Sequence, residues 1–288
     1  MSFKIITDSS CDFTKAQYNQ LGLTYAPLTL LYKGEQHDSF TEEAELKAFY
    51  NGIRAGEMPT TSAVNPEGWA TVMERVLATG EDVLALCFTS GLSTTYQSAV
   101  IAADELQEKY PDRKIRVIDT LCAALGQGLL VWHACQKRDQ GMDLDAVANW
   151  VEENKLRLCH WVTVDDLDHL KRGGRVSATT AFVGGLLNIK PIIHVDNDGK
   201  LDAVAKVRGR KAAMEYLVKQ LVETGATAEN ETITIAHGDC PEDAAALEEL
   251  VRKNCPFVKN VITGYVGGVI GAHTGPGVLV VFFLGSKR

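Results

Sequence analysis

The sequence predicts an α/β protein in two domains, a parallel-sheet domain over residues 1–158 and a mixed-sheet α/β domain over residues 159–288. Three observations carry that prediction. Short β-branched runs alternate with amphipathic stretches through the first half, the order of a parallel sheet covered by helices. Val83 to Phe88 is an uninterrupted apolar run of the sort buried on both faces in such a sheet. In the second half, two β-branched segments flank Asp196-Asn197-Asp198-Gly199, a hairpin turn that brings antiparallel pairing into the alternation.

Taken in order, Ile5-Ile6-Thr7 is the first strand, with a turn at Asp8-Ser9-Ser10 and a helix that stops near Gly22. A second strand covers about Leu23 to Tyr32. Thr41 is the expected N-cap of a helix presenting Leu46, Phe49, Tyr50 and Ile53, ended by Gly56. Asn65-Pro66 has the form of a cap followed by an N1 proline, after which Trp69, Val72, Met73, Val76 and Leu77 recur on one face. The run at Val83 leads through a loop into a helix ending near Lys109. A strand at Ile115–Ile118 and a helix from about Cys122 to Arg138 complete a Rossmann-like βαβα succession.

After a helix near residues 145–155, Leu158 to Val164 opens the second domain. No Pro/Gly/Ser-rich linker marks the junction, so the two domains are expected to be tightly apposed. A short helix, the hairpin of Lys190–Val195 with Lys200–Val207, a long helix, a strand at Thr232–Ala236, a helix opened by Pro241 and two final strands follow.

Bulk properties narrow the function. The formal charge of −8 argues against nucleic acid, whose phosphates call for a clustered positive surface, and against adsorption to anionic lipid. Seven cysteines, an odd number with no C-x-x-C pair, read as reduced, mostly buried thiols of a cytoplasmic protein. Asp8 and Asp12 interrupt any signal-peptide pattern. Residues 260–286 lack Asp, Glu, Lys and Arg, but seven glycines and Pro276 leave only Val278 to Leu284 as a solid apolar run. That is short of the ~20 residues a spanning helix needs, so it reads as a buried strand rather than a membrane insertion.

Several loops hold chemistry-bearing residues. Pro59-Thr60-Thr61-Ser62-Ala63 and Thr89-Ser90-Gly91-Leu92-Ser93-Thr94-Thr95 are hydroxyl-rich and precede helices, where free N–H groups favour anions. Ordinary helix capping by Thr and Ser is the better account of either loop alone, and two such loops in one domain put the anion site level with it. Lys171-Arg172-Gly173-Gly174-Arg175-Val176-Ser177 offers an arginine fork beside two glycines, or simply a solvated surface turn. His273 in His273-Thr274-Gly275-Pro276-Gly277 is either an anion ligand or a structural histidine. Asp8 reads as a turn and cap residue. Asp165-Asp166 reads as helix capping rather than a metal site, since no third ligand is near in sequence.

In order along the chain, Thr7-Asp8-Ser9, Thr61-Ser62, Ser90-Gly91-Leu92-Ser93 with Tyr96-Gln97-Ser98-Ala99, and Asp165-Asp166-Leu167 resemble the motifs of the DegV family of fatty-acid-binding proteins. The resemblance continues through Gly173-Gly174-Arg175-Val176-Ser177, Leu187-Asn188-Ile189-Lys190-Pro191, Asp198-Gly199-Lys200 and His273-Thr274-Gly275-Pro276-Gly277. It implies a long-chain fatty acid in a tunnel between two domains, with its carboxylate on Thr61 and Ser93 and with Ser62 and Ser90 adjacent. Arg175 and His273 are implied neighbours of the head-group. It further implies a non-catalytic carrier with no cofactor, whose partner is a separate fatty acid kinase. Two departures bear on selectivity: Ala63-Val64-Asn65-Pro66 replaces the family's Gln-Pro-Ser, and Thr94 stands where a glycine is usual. The alternative from another class is a hydrolase using Ser93 as nucleophile and His273 as base, although Ser93 lacks the G-x-S-x-G elbow.

Overall fold

Strand β1 (Phe3–Asp8) is buried at all but one position, as a central strand of a parallel sheet must be. A 3-10 turn, helix α1 (Lys15–Gln20) and strand β2 (Thr24–Ala26) follow, and β2 pairs parallel to β1. The strand expected over Leu23 to Tyr32 divides here. Pro27 has no N–H to give a ladder, and Leu28 N donates to Ser9 Oγ at 2.9 Å instead. Beyond this break β3 (Thr29–Tyr32) pairs antiparallel with β4 (Glu35–Asp38) and with β5 (Thr60–Ser62), forming a small separate sheet. The segment read as a hydroxyl-rich loop is therefore partly strand, with Thr61 opposite Leu30.

Helix α2 (Glu43–Arg54) starts one residue later than the expected Thr41 cap. Glu42 occupies the cap without a side-chain bond to the helix, and Thr41 Oγ1 lies 3.4 Å from the Glu42 carboxylate. Helix α3 (Pro66–Leu77) begins as read, with Asn65 Oδ1 accepting from Gly68 N at 2.8 Å. Then come the wholly buried β6 (Asp82–Cys87), α4 (Thr95–Lys109), β7 (Ile115–Asp119), α5 (Ala124–Asp139) and α6 (Leu144–Asn154). The resulting four-stranded sheet runs β2-β1-β6-β7, parallel throughout.

The rest of the chain forms β8 (Leu158–Thr163), α7 (Asp168–Arg172), β9 (Ile189–Val195), β10 (Leu201–Arg208), α8 (Arg210–Thr224), β11 (Thr232–His237), α9 (Pro241–Asn254), β12 (Asn260–Tyr265), α10 (Gly268–Thr274) and β13 (Leu279–Leu284). The computed structural model describes residues 2–165, 167–176, 188–225 and 229–288. The second sheet has the order β10-β9-β8-β13-β11-β12, antiparallel except for the parallel pair β11–β12. Its hairpin turns where the sequence placed it. Asp196 Oδ1 accepts from Asp198 N and Lys200 N, both at 2.9 Å, and Gly199 takes φ +74.

Helix α10 was not expected, because its glycines oppose helix formation in isolation. Packing overrides that: a Cβ at Gly271 would meet Tyr50 Oη at 2.5 Å, and Gly268 N donates to Phe40 O at 3.0 Å. His273 thus sits in the last turn of a short helix rather than in an open loop.

The sheets meet around α5, which packs on β1 of the first and on β8, β11 and β13 of the second. One core cluster takes side chains from both, including Ile5, Leu84, Val162, Ile193 and Phe282. All seven cysteines are free thiols, and all but the partly exposed Cys240 are buried. No helix among the described residues is long and apolar enough to cross a membrane.

Candidate functional site

Between the two sheets lies a cavity of about 410 Å³. Thr61, Ser62, Ser90, Ser93, Arg175 and His273, far apart in sequence, all line it. Most of the remaining wall is apolar: Leu28 and Phe88 come from the first half, while Val162, Ile193, Val195, Val280 and Phe282 come from the second sheet. A concave, mostly apolar body with a few convergent polar groups is the general form of a small-molecule site.

The polar groups form a connected chain. His273 Nε2 lies 2.7 Å from Thr61 Oγ1. Gly173 packs so closely on His273 Nδ1 that no side chain fits between them. Arg175 then spans from Gly173 O, bonded through Nη1, to Leu92 O, 3.3 Å from Nε. Leu92 precedes Ser93, so the basic loop, the histidine helix and both hydroxyl segments are tied together.

Burial, reinforced by Arg175 and Arg172, pulls the His273 pKa down to about 4, so the ring is neutral at pH 7. Its Nδ1 is buried without a hydrogen-bond partner among the described residues. A neutral imidazole carries one N–H, and an unpaired buried donor is rarer than an unpaired acceptor. The proton therefore belongs on Nε2, where it donates to Thr61 Oγ1 and leaves the threonine proton to donate into the cavity.

Ser93 is held by its own loop. Its Oγ accepts from Thr95 N at 3.2 Å and lies 2.8 Å from Thr95 Oγ1. Ser93 thus bonds to Thr95 and His273 to Thr61; the nucleophile–base pair of the hydrolase reading is not formed. Helix α4 is capped at Thr94 without a side-chain bond, and the Ser93 hydroxyl takes the first N–H of the helix instead. Asp119 fixes the loop from below by accepting from Ser90 N at 3.2 Å and Leu121 N at 3.0 Å. Thr89 Oγ1 donates to Gly199 O at 3.0 Å, and a Cβ on Gly91 would meet Asp198 O at 2.6 Å. The loop is thereby wedged against the hairpin of the second sheet.

Asp8 is the turn residue the sequence suggested. Its fully buried carboxylate accepts from Ser10 N at 3.0 Å and Phe88 N at 2.7 Å, anchoring the start of the Ser90 loop. Burial raises its pKa, and these hydrogen bonds oppose the rise. Asp165 differs from expectation: Leu167 caps α7 without a side-chain bond, and Asp165 Oδ1 instead pairs with Lys190 Nζ at 2.6 Å. Asp166, Ser177 and Leu187 lie outside the described residues. Among the described residues, no group of three or more His, Cys, Asp or Glu side chains is placed to hold a metal ion.

Sequence reasoning missed His160, which lines the apolar part. Its Nε2 accepts from Ala123 N at 3.1 Å, which puts the proton on Nδ1, 3.1 Å from Leu158 O. Both nitrogens are spent on backbone, and burial drives its pKa well below the usual value. The ring therefore serves as apolar wall, and alternation in β8 was the only hint that it faces inward.

A family model for DegV, an uncharacterised protein family by description, matches residues 2–286. The chain belongs to the DegV family. A DegV domain-containing protein of Clostridium perfringens is 46% identical over 287 residues, covering 99% of this chain and 98% of its own. Among solved structures, a DegV family protein from Thermus thermophilus, reported for fatty acid binding, is 32% identical with a TM-score of 0.87, covering 98% of this chain and 99% of its own. DegV from Bacillus subtilis, named a fatty acid binding protein, is 30% identical with a TM-score of 0.83 and covers 98% of each. The DegV fold thus accounts for both sheets of this chain.

Proposed function

We propose that this DegV protein holds one long-chain fatty acid in the cavity between its sheets and presents it to a separate fatty acid kinase. The carboxylate accepts from Thr61 and Ser93, with Ser62 and Ser90 beside them and with Arg175 and His273 as neighbouring cationic and polarising groups. The observation that carries the reading is the Thr61–His273 pair at 2.7 Å, among the polar residues of a cavity whose remaining wall is mostly apolar. Hydrogen bonds from such hydroxyls to a carboxylate are charge-assisted and need no catalytic base. Each buried CH₂ contributes ~0.8 kcal/mol, so about fifteen methylenes offer ~12 kcal/mol before ordering costs. The chain divides into domains 1–158 and 159–288 with the acid between them, and the chemistry belongs to the kinase.

Native mass spectrometry with solvent extraction tests this directly. A stoichiometric long-chain carboxylic acid is expected, and the pair Thr61→Ala with Ser93→Ala is expected to lose it while remaining folded. A protein that is empty and takes up no added fatty acid overturns the reading. For the partner, Lys171, Arg172 and Arg208 form the proposed docking surface. Reversing their charges is expected to reduce acyl-phosphate formation by the cognate kinase without reducing acid binding. Unchanged phosphorylation removes the docking assignment.

A further inference from the structure

The mouth of the cavity carries polar groups that a simple carboxylate does not use. Most of the lining is buried or half-buried, whereas Ser62, Thr94 and Gln97 line the cavity and are also exposed, so they mark where it opens to solvent. Thr94 caps α4 and Gln97 lies three residues on, which puts the two on one face of the first turn. A Thr followed three residues later by Gln is the pattern of a capping box, yet Thr94 forms no side-chain cap bond. Among the described residues neither side chain is drawn into a hydrogen bond with the protein, in contrast to Thr61 with His273 and Ser93 with Thr95. The hydroxyl and the amide each donate and accept. That two-way character matches a neutral hydroxyl better than a second anion, which would meet acceptor lone pairs as well as donors.

We infer that Thr94 and Gln97 form a subsite for a hydroxyl on the carbon next to the carboxylate, so that the protein accepts 2-hydroxy long-chain fatty acids alongside unsubstituted ones. The inference rests on the proposed carboxylate position at Thr61 and Ser93. Thr94 adjoins Ser93 in the chain, so the group it reaches is a substituent beside the carboxylate rather than one far along the tail. An apolar side chain at Thr94 would leave such a hydroxyl one direct partner short, with water in its place, a loss of up to about tenfold in binding. Thr94 has φ −84, ordinary for any residue, so its side chain can be changed without backbone strain.

The test is competition binding of hexadecanoic and 2-hydroxyhexadecanoic acid to the delipidated full chain and to Thr94→Val, which keeps the shape and removes the hydroxyl. The unaltered protein is expected to bind the two acids within about threefold, and Thr94→Val to weaken only the hydroxy acid, by about tenfold. Gln97→Met is expected to act in the same direction and serves if Thr94→Val does not fold. Equal effects on both acids, or strong rejection of the hydroxy acid by the unaltered protein, overturns the subsite. Failure of both acids to bind the unaltered protein instead removes the carrier reading on which the subsite depends.

Discussion

The segments around the four-stranded sheet bring hydroxyls to the cavity, from β5 and from the loop after β6, whereas the six-stranded sheet brings a continuous apolar wall. His273 comes from α10, which packs on α7, α2 and the small sheet of β3 and β5, and Arg175 follows α7; together they complete the polar end. Neither half holds a complete site. The hydroxyl side is built from short, partly exposed segments held by Asp8, Asp119 and Thr95, and the wall is built from buried strands. Changes to the wall should therefore cost folding, and changes to the hydroxyl segments should cost ligand.

The largest effect that would break this division comes from the wall. Phe282 is 1% exposed, lines the cavity and meets His160 edge-on at 5.2 Å between ring centres. Phe282→Ala is expected to lose about 3–5 kcal/mol of stability by chemical denaturation. The Thr61→Ala and Ser93→Ala pair should stay within about 1 kcal/mol of the unaltered protein when empty, since each removes one partly exposed hydroxyl. Comparable losses in both would show that the two sides are not separable.

Acid titration sharpens the comparison through two histidines in different settings. His133 lies between Trp132 and Trp150, outside the cavity, and burial with Lys137 nearby lowers its pKa to about 4. His273 has the same value for the same first cause, but it faces the cavity. Above pH ~6.5 both rings are neutral in the folded and unfolded chains, and nothing is lost. Between ~6.5 and about 4 the unfolded chain takes up a proton that the folded ring refuses, so stability falls as pH falls. His133→Gln and His273→Gln are each expected to reduce the slope of stability against pH in that window by about one proton in the empty protein. A bound carboxylate favours the charged imidazole, so loading with fatty acid should flatten the His273 contribution and leave that of His133 intact. Identical behaviour of the two variants with and without ligand would place His273 outside the head-group's reach.

The candidate residues could be drawn together in the sequence only through the resemblance to the DegV family, since each segment alone also read as a cap, a surface turn or a structural histidine. Hydroxyls before helices, an arginine after paired glycines and a histidine among glycines stood out, and the cavity brings all six together. What stayed hidden depends on tertiary packing. The glycines around His273 suggested a loop, and only contact with Tyr50 and Phe40 makes that segment helical. The apolar stretch after Leu23 looked like one strand, yet Pro27 and the Ser9 hydroxyl send its second half to another sheet. The lining suffered most, because inward-facing valines in β8 or β13 look like any core residue until the gap beside them is seen.

The smallest expected effect isolates the link between the two sides. Gly173 has φ −73, so its backbone does not demand glycine. What demands it is His273 Nδ1, which occupies the space a Cβ would take. Gly173→Ala must push the imidazole toward or away from Thr61, and a hydrogen bond of 2.7 Å tolerates little displacement. Fatty acid affinity is therefore expected to fall by about tenfold, the equivalent of one hydrogen bond of ~1.4 kcal/mol, with about 1–3 kcal/mol of stability lost to the overpacking. If the imidazole sets the direction of the Thr61 hydroxyl, adding Thr61→Ala to Gly173→Ala should cost less than the two single losses combined. Strict additivity in that double-mutant cycle would mean that His273 packs beside Thr61 without orienting it.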